Sequence, residues 1–153
     1  MDWKKVHENI HALAKELNVE ITEKEIAFIG GSFSIYSFKD SNGFYYELRH
    51  SKPESETGSR FSIYSEFEQE AITVKVKTNF WGRTKKTIEG FVDKSIQYKI
   101  DELANHVSKF SWEKVRSNKF DFKNQNVLKF TTEEIDLSVL EMKLIMEIHT
   151  GLA

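Results

Sequence analysis

A chain of 153 residues that is 39% hydrophobic and 30% charged has the composition of a folded protein about one domain long, and twelve Phe, five Tyr and three Trp exclude a disordered chain. Lys and Arg number 22 against 24 Asp and Glu, a net charge of −2, so no overall positive field draws in nucleic acid or anionic membrane, and neither is expected as a partner. The lack of Cys removes disulfides, thiolate zinc sites, iron–sulfur clusters and Cys nucleophiles together; with no apolar run of signal-peptide or membrane-span length, the expected location is the cytoplasm.

From Asp2 to Leu17 the apolar residues Trp3, Val6, Ile10, Leu13, Ala14 and Leu17 recur at three- and four-residue spacing, which predicts an amphipathic helix capped by Asp2. From about Ile26 to Ile88 the period changes to two, and turn signals divide the stretch into short strands of an antiparallel meander. Asp40-Ser41-Asn42-Gly43 reads as a hairpin turn. Ser51 to Ser59, with Pro53 and Gly58, reads as a longer exposed connection, and Gly30-Gly31 as a bulge or turn. Phe33-Ser34-Ile35-Tyr36-Ser37 returns letter for letter as Phe61-Ser62-Ile63-Tyr64-Ser65. Five residues are too few for a duplicated unit, so the echo reads as two strands with the same in-and-out requirement.

After Gly90 the helical period returns, with Ile96, Ile100, Leu103, Val107 and Phe110 on one face of a helix of about four turns and Asp93 or Ser95 as its cap. Trp112 to Arg116, Phe120 to Lys123 and Val127 to Phe130 predict short strands, the last two joined tightly by Asn124-Gln125-Asn126. Ser138 and Glu141 have capping-box spacing; they open a last helix carrying Leu140, Leu144, Ile145 and Ile148, closed by Gly151. The expected architecture is one two-layer α+β domain over residues 1–153, an antiparallel meander covered on one face by three helices. Its order would be helix, four or five strands, helix, two or three strands, helix. In that order the chain resembles the small cytoplasmic chaperones that mask secreted effectors, and equally several toxin-neutralising immunity proteins; the likeness is one of coarse topology alone.

His7-Glu8-Asn9-Ile10-His11 spells H-E-x-x-H, which on a helix can place two imidazoles on one zinc ion beside a general base. A helical wheel centres the apolar stripe near Ile10 and Leu17 and sets His7 roughly 75° and His11 roughly 115° from it, with Glu8 nearly opposite. The Glu therefore faces water, and Ala14 and Leu17 occupy the positions that the extended zinc-protease pattern gives to Gly and a third His. His7 and His11 stay weak metal candidates; no cofactor and no catalytic residue is assigned. Neither a G-x-S-x-G elbow nor a phosphate-binding glycine loop is present, and His50, His106 and His149 are scattered singly.

If Phe33, Ile35, Phe44, Tyr46, Leu48, Phe61, Ile63, Ile72, Val74 and Val76 face the helices, alternation sends Tyr36, Tyr45, Glu47, Arg49, Arg60, Tyr64, Thr73, Lys75 and Lys77 to the other side. Tyr and Arg are favoured at the energetic centres of interfaces, so Tyr36, Tyr45, Tyr64 and Arg49 are candidate binding residues, although Tyr is also an ordinary strand former. Phe80 and Trp81, at an expected hairpin tip beside Arg83, form a second candidate anchor. The leading expectation is a non-enzymatic domain that binds another protein: a toxin, an effector or a second subunit. A small zinc hydrolase using His7, Glu8 and His11, and a carrier of a small apolar ligand between sheet and helices, are the alternatives.

Overall fold

The Asp2 carboxylate accepts a hydrogen bond from the Lys5 N–H (3.1 Å) and opens α1 (Trp3–Glu16), which buries Val6, Ile10, Leu13 and Ala14. Asn18, at φ 56°, closes the helix in the left-handed region that Asn tolerates, and the Val19 N–H returns to the Ala14 carbonyl. The computed structural model describes residues 2–52 and 55–153, less the side chains of residues 52 and 55–57.

Six strands follow α1: β1 (Thr22–Phe28), β2 (Gly31–Lys39), β3 (Tyr45–Lys52), β4 (Ser55–Glu66), β5 (Thr73–Thr78) and β6 (Thr84–Glu89). After them come α2 (Lys94–Ala104), β7 (Lys109–Ser117), β8 (Gln125–Thr132) and α3 (Val139–Leu152). All eight strands join one antiparallel sheet in the order β1-β2-β3-β4-β8-β7-β5-β6. The α+β class is as the sequence implies, but the sheet is a plain meander only through β4. Beyond β4 the chain leaves room for two strands, lays the β5–β6 hairpin at the far edge and returns through α2. Strand β8 then closes the gap by pairing with both β4 and β7. Such non-local pairing is invisible to periodicity, which detects strands and not neighbours.

Six strands, not the expected four or five, precede α2, and three local expectations are corrected as well. Val107 and Phe110 do not extend α2, which ends at Ala104 after three turns. Phe110 is instead an inward residue of β7 that happens to fall on the helical spacing. The predicted strand from Phe120 to Lys123 is part of the β7–β8 connection, where Phe120 and Asn124 take left-handed φ values of 56° and 54°. At Ser51 to Ser59 the strands themselves run on to Lys52 and resume at Ser55; residues 53 and 54, and the exposure expected of residues 52–57, lie outside the described residues.

The hairpin at Asp40 to Gly43 forms as its sequence implies. Asp40 Oδ1 accepts from the Asn42 and Phe44 N–H groups (2.9 and 3.0 Å), Oδ2 accepts from the buried Tyr46 hydroxyl (2.7 Å), and Gly43 supplies the positive φ of 84°. Burial, then the bond to Asp40, push the Tyr46 hydroxyl well above its ordinary pKa.

Register aligns Phe38, Tyr46, Ile63, Phe130, Trp112 and Val74 in one row across six strands, all buried. They belong to one apolar cluster with Ile10 and Leu13 of α1, Ile100 and Leu103 of α2, and Ile145 and Ile148 of α3. Inside that cluster sits His149, fully buried. The Trp112 indole N–H donates to its Nδ1 (3.1 Å), which leaves the proton on Nε2 to donate to Ser65 Oγ (2.8 Å). Burial holds the imidazole neutral, with its pKa lowered to about 3. The capping box of α3 forms, with Ser138 Oγ accepting from the Glu141 N–H (3.1 Å) and Glu141 Oε1 from the Ser138 N–H (3.0 Å). Leu140, however, is exposed, and Gly151 does not end the helix. It lies inside the last turn, where a Cβ would run into the Ile96 side chain of α2, so its small size sets the approach of α2 to α3.

Candidate functional site

Opposite the row just described, the pleat sends a second set of side chains to the other face of the sheet. Register orders them in three further rows. One runs Lys39, Tyr45, Tyr64, Lys129, Glu113, Thr73. The next runs Ser37, Glu47, Ser62, Thr131, Ser111, Lys75, Thr87. In the third, Ile35, Arg49 and Arg60 lie on β2, β3 and β4, and Lys109, Lys77 and Lys85 on β7, β5 and β6. Phe33, Ile26 and Phe28 extend this face at the β1 edge.

The expected placement holds for Tyr45, Glu47, Arg49, Arg60, Tyr64, Thr73, Lys75 and Lys77, and fails for β2. Tyr36 pairs with Leu48 and is buried against α1, its hydroxyl 3.3 Å from His7 Nδ1, while Phe33 and Ile35 take the side assigned to it. Strand β2 carries apolar residues on both faces, so alternation fixes that successive side chains oppose each other without fixing which set goes in. Burial, with smaller contributions from Glu23 and Glu25, raises the Tyr36 pKa.

Tyr45 and Tyr64 are on the second face, yet the chain covers them itself. The β7–β8 connection lays the Phe120 ring parallel on Tyr45 (centroids 4.5 Å apart) and edge-on to Tyr64 (5.5 Å). Phe122 and Val127 close a small second cluster with Tyr64. Lys119 pins the connection by donating to Glu47 Oε1 at 2.7 Å. A hydrogen bond to the Asp121 carboxylate raises the Tyr45 hydroxyl and lowers Asp121. Arg49 lies 4.0 Å above the Phe33 ring, and its Nε is buried with no hydrogen-bond partner among the described residues. Phe80 and Trp81 stand at the β5–β6 turn, 95% and 81% exposed, with their rings in contact with each other (5.4 Å).

The motif histidines meet different partners. His7 Nε2 lies 2.8 Å from Nδ1 of the buried His50, a pairing that sequence spacing does not reveal, and His11 Nε2 lies 3.1 Å from Glu23. Glu8 is exposed beside Lys4. Among the described residues no group of three or more His, Asp or Glu side chains is placed to hold a metal ion. Both rings border Tyr36 (centroids 4.8 and 5.7 Å away), but where a zinc helix aims its two imidazole nitrogens at one ion, these Nε2 atoms bond to separate partners, His50 on β3 and Glu23 on β1.

Sequence reasoning missed a groove of about 580 Å³ on the second face, on strands β4, β8, β7, β5 and β6. Arg60, Lys75, Lys77, Lys85, Lys109 and Lys129 line it, with the hydroxyls of Thr87, Ser111 and Thr131 between them and Glu113 and Glu133 as its carboxylates. Alternation exposes Arg60, Lys75 and Lys77, but Lys109 was concealed by a helical reading that ran on to Phe110. In comparisons with known proteins, no family model, no curated protein and no solved structure matches this chain.

Proposed function

We propose that this chain is a protein-binding domain that works without catalysis in the cytoplasm, of the toxin-immunity or effector-chaperone kind, and that it holds its partner on the second face of the sheet. The observation that carries the reading is the apolar patch of Ile26, Phe28, Phe33 and Ile35, which the described residues leave partly open; Ile26 and Phe28 are 39% and 46% exposed. Apolar side chains grouped on an otherwise charged surface are the usual mark of an interface. Arg49, stacked on Phe33 and itself only half-buried, gives the patch a cationic border able to reward a carboxylate or carbonyl from the partner. Phe80 and Trp81 offer a second anchor at the opposite edge of the sheet.

The test is co-purification with the product of the adjacent open reading frame. A Phe28→Asp/Phe33→Asp variant is expected to lose the complex. Leu140→Asp, which alters a still more exposed apolar residue on α3, is expected to retain it. Retention by the double variant would refute the sheet-face reading.

A further inference from the structure

The groove holds an arrangement that the fold alone does not favour. Lys77 on β5 stands directly opposite Lys85 on β6 and Lys109 on β7, three ammonium groups in one cross-strand row. Like charges directly opposed across strands are destabilising. Protection of sheet edges accounts for lysines on an outermost strand such as β6, but β4, β8, β7 and β5 each have a strand on both sides. None of the six cationic side chains makes an ion pair among the described residues. In a protein of net charge −2, half a dozen unpaired cations on one surface against two carboxylates form a local field of opposite sign to the whole.

We propose that this groove binds an acidic segment of a polypeptide, a run of Asp and Glu side chains belonging to the partner held on the same face; the inference thus rests on the reading given above. The cations extend across five strands, and at about 4.8 Å between strands the outermost are some 20 Å apart, too far for one small anion to engage them together. An extended polyanion spans that distance. Among polyanions, single-stranded nucleic acid is bound with aromatic platforms for its bases, and the groove has none standing out from its face. Five of its six cations are Lys, point charges without the planar fork that grips phosphate at two points, and hydroxyls of Thr87, Ser111 and Thr131 lie among them to donate to carboxylates. Through Arg60 and Arg49 the groove continues into the Phe33 patch, so a peptide with an acidic run beside apolar residues would meet both.

The probe is a fluorescent deca-glutamate peptide, with a ten-nucleotide oligothymidylate of similar charge beside it, each titrated at low and high salt. The peptide is expected to bind at low salt and weaken as salt is added. Lys77→Glu is expected to weaken it at least tenfold while leaving the melting temperature unchanged or raised, because the new carboxylate would stand between Lys85 and Lys109. Lys5→Glu, at an exposed position of α1 far along the chain from the groove, makes the same change in net charge and is expected to alter binding less than twofold. No binding at low salt, equal losses in the two variants, or tighter binding of the oligonucleotide would each overturn the proposal, the last by assigning the groove to nucleic acid. If peptide binding fails while Phe28→Asp/Phe33→Asp still releases the partner, only the acidic reading falls; the converse result removes only the apolar one.

Discussion

Phe-Ser-Ile-Tyr-Ser occurs at residues 33–37 and again at 61–65, and the two copies sit in the sheet with opposite faces inward. In the second copy Phe61 and Ile63 are fully buried beneath the helices, and Tyr64 is turned to the far face. The first copy reverses this: Tyr36 enters the core and Phe33 and Ile35 look outward. Identical letters with identical alternation thus serve opposite needs. What decides is the strand opposite, since Leu48 of β3 faces Tyr36 on one side and Phe61 on the other, and a one-residue slip would reverse every side chain of a strand.

The sharpest way to test that inversion is to truncate the same letter in each copy. Phe61→Ala empties a fully buried site in contact with Phe130 and is expected to cost about 3–5 kcal/mol of unfolding free energy. Phe33→Ala removes a half-buried ring from beneath Arg49 and is expected to cost about 1 kcal/mol. Equilibrium urea unfolding of both variants measures the difference, and equal costs would contradict the opposite orientations.

The closing Ser of each copy separates them further. Ser65 accepts the Nε2 proton of His149 in the core, whereas Ser37 is half-exposed on the second face. Because the native imidazole stays neutral to about pH 3 while an unfolded one protonates near 6.5, the unfolded chain binds the extra proton throughout that window. His149 therefore contributes stability that is complete above pH 6.5 and declines by about 1.4 kcal/mol for each unit of acidification towards pH 3, about 2 kcal/mol by pH 5. An NMR titration should find His149 in the neutral, Nε2-protonated form at pH 5. Ser65→Ala leaves that N–H unpaired in the core and is expected to cost about 1.5 kcal/mol, against less than about 0.5 kcal/mol for Ser37→Ala.

The parts of this molecule legible in the sequence are those whose chemistry is local. Asp2 and Ser138 cap helices within three residues of themselves, and Asn42-Gly43 turns a hairpin whose bonds span four. Face assignment was legible on β3, β4 and β5, where one side is plainly polar, and it put Arg60, Lys75 and Lys77 correctly on the second face. It was not legible on β2, apolar on both sides, nor wherever a residue is placed by a distant partner. His149 enters the core because Trp112 and Ser65 satisfy both its nitrogens, and neither is a sequence neighbour. Phe120 and Phe122 alternate like a strand but leave the ladder to cover Tyr45 and Tyr64. The cationic groove depends on β8 and β7 falling between β4 and β5, which brings Lys109 and Lys129 beside Arg60 and Lys77.

The smallest contrast lies in the fourth letter. Tyr36 and Tyr64 are both buried, at 8% and 2% exposure, so burial alone predicts equal consequences for removing their hydroxyls. Their surroundings differ in what the hydroxyl meets. Tyr36 reaches His7 at 3.3 Å from the inner face, and Tyr64 contributes its ring to Phe120, Lys119 and Lys129 on the outer one. Tyr36→Phe is therefore expected to cost about 0.5–1 kcal/mol through the lost bond, while Tyr64→Phe keeps its ring contacts and changes stability by less than about 0.5 kcal/mol. Urea unfolding of the pair at pH 7 measures both; a larger cost at Tyr64 would mean that the inversion of the two copies, read here from register, does not govern how their side chains contribute.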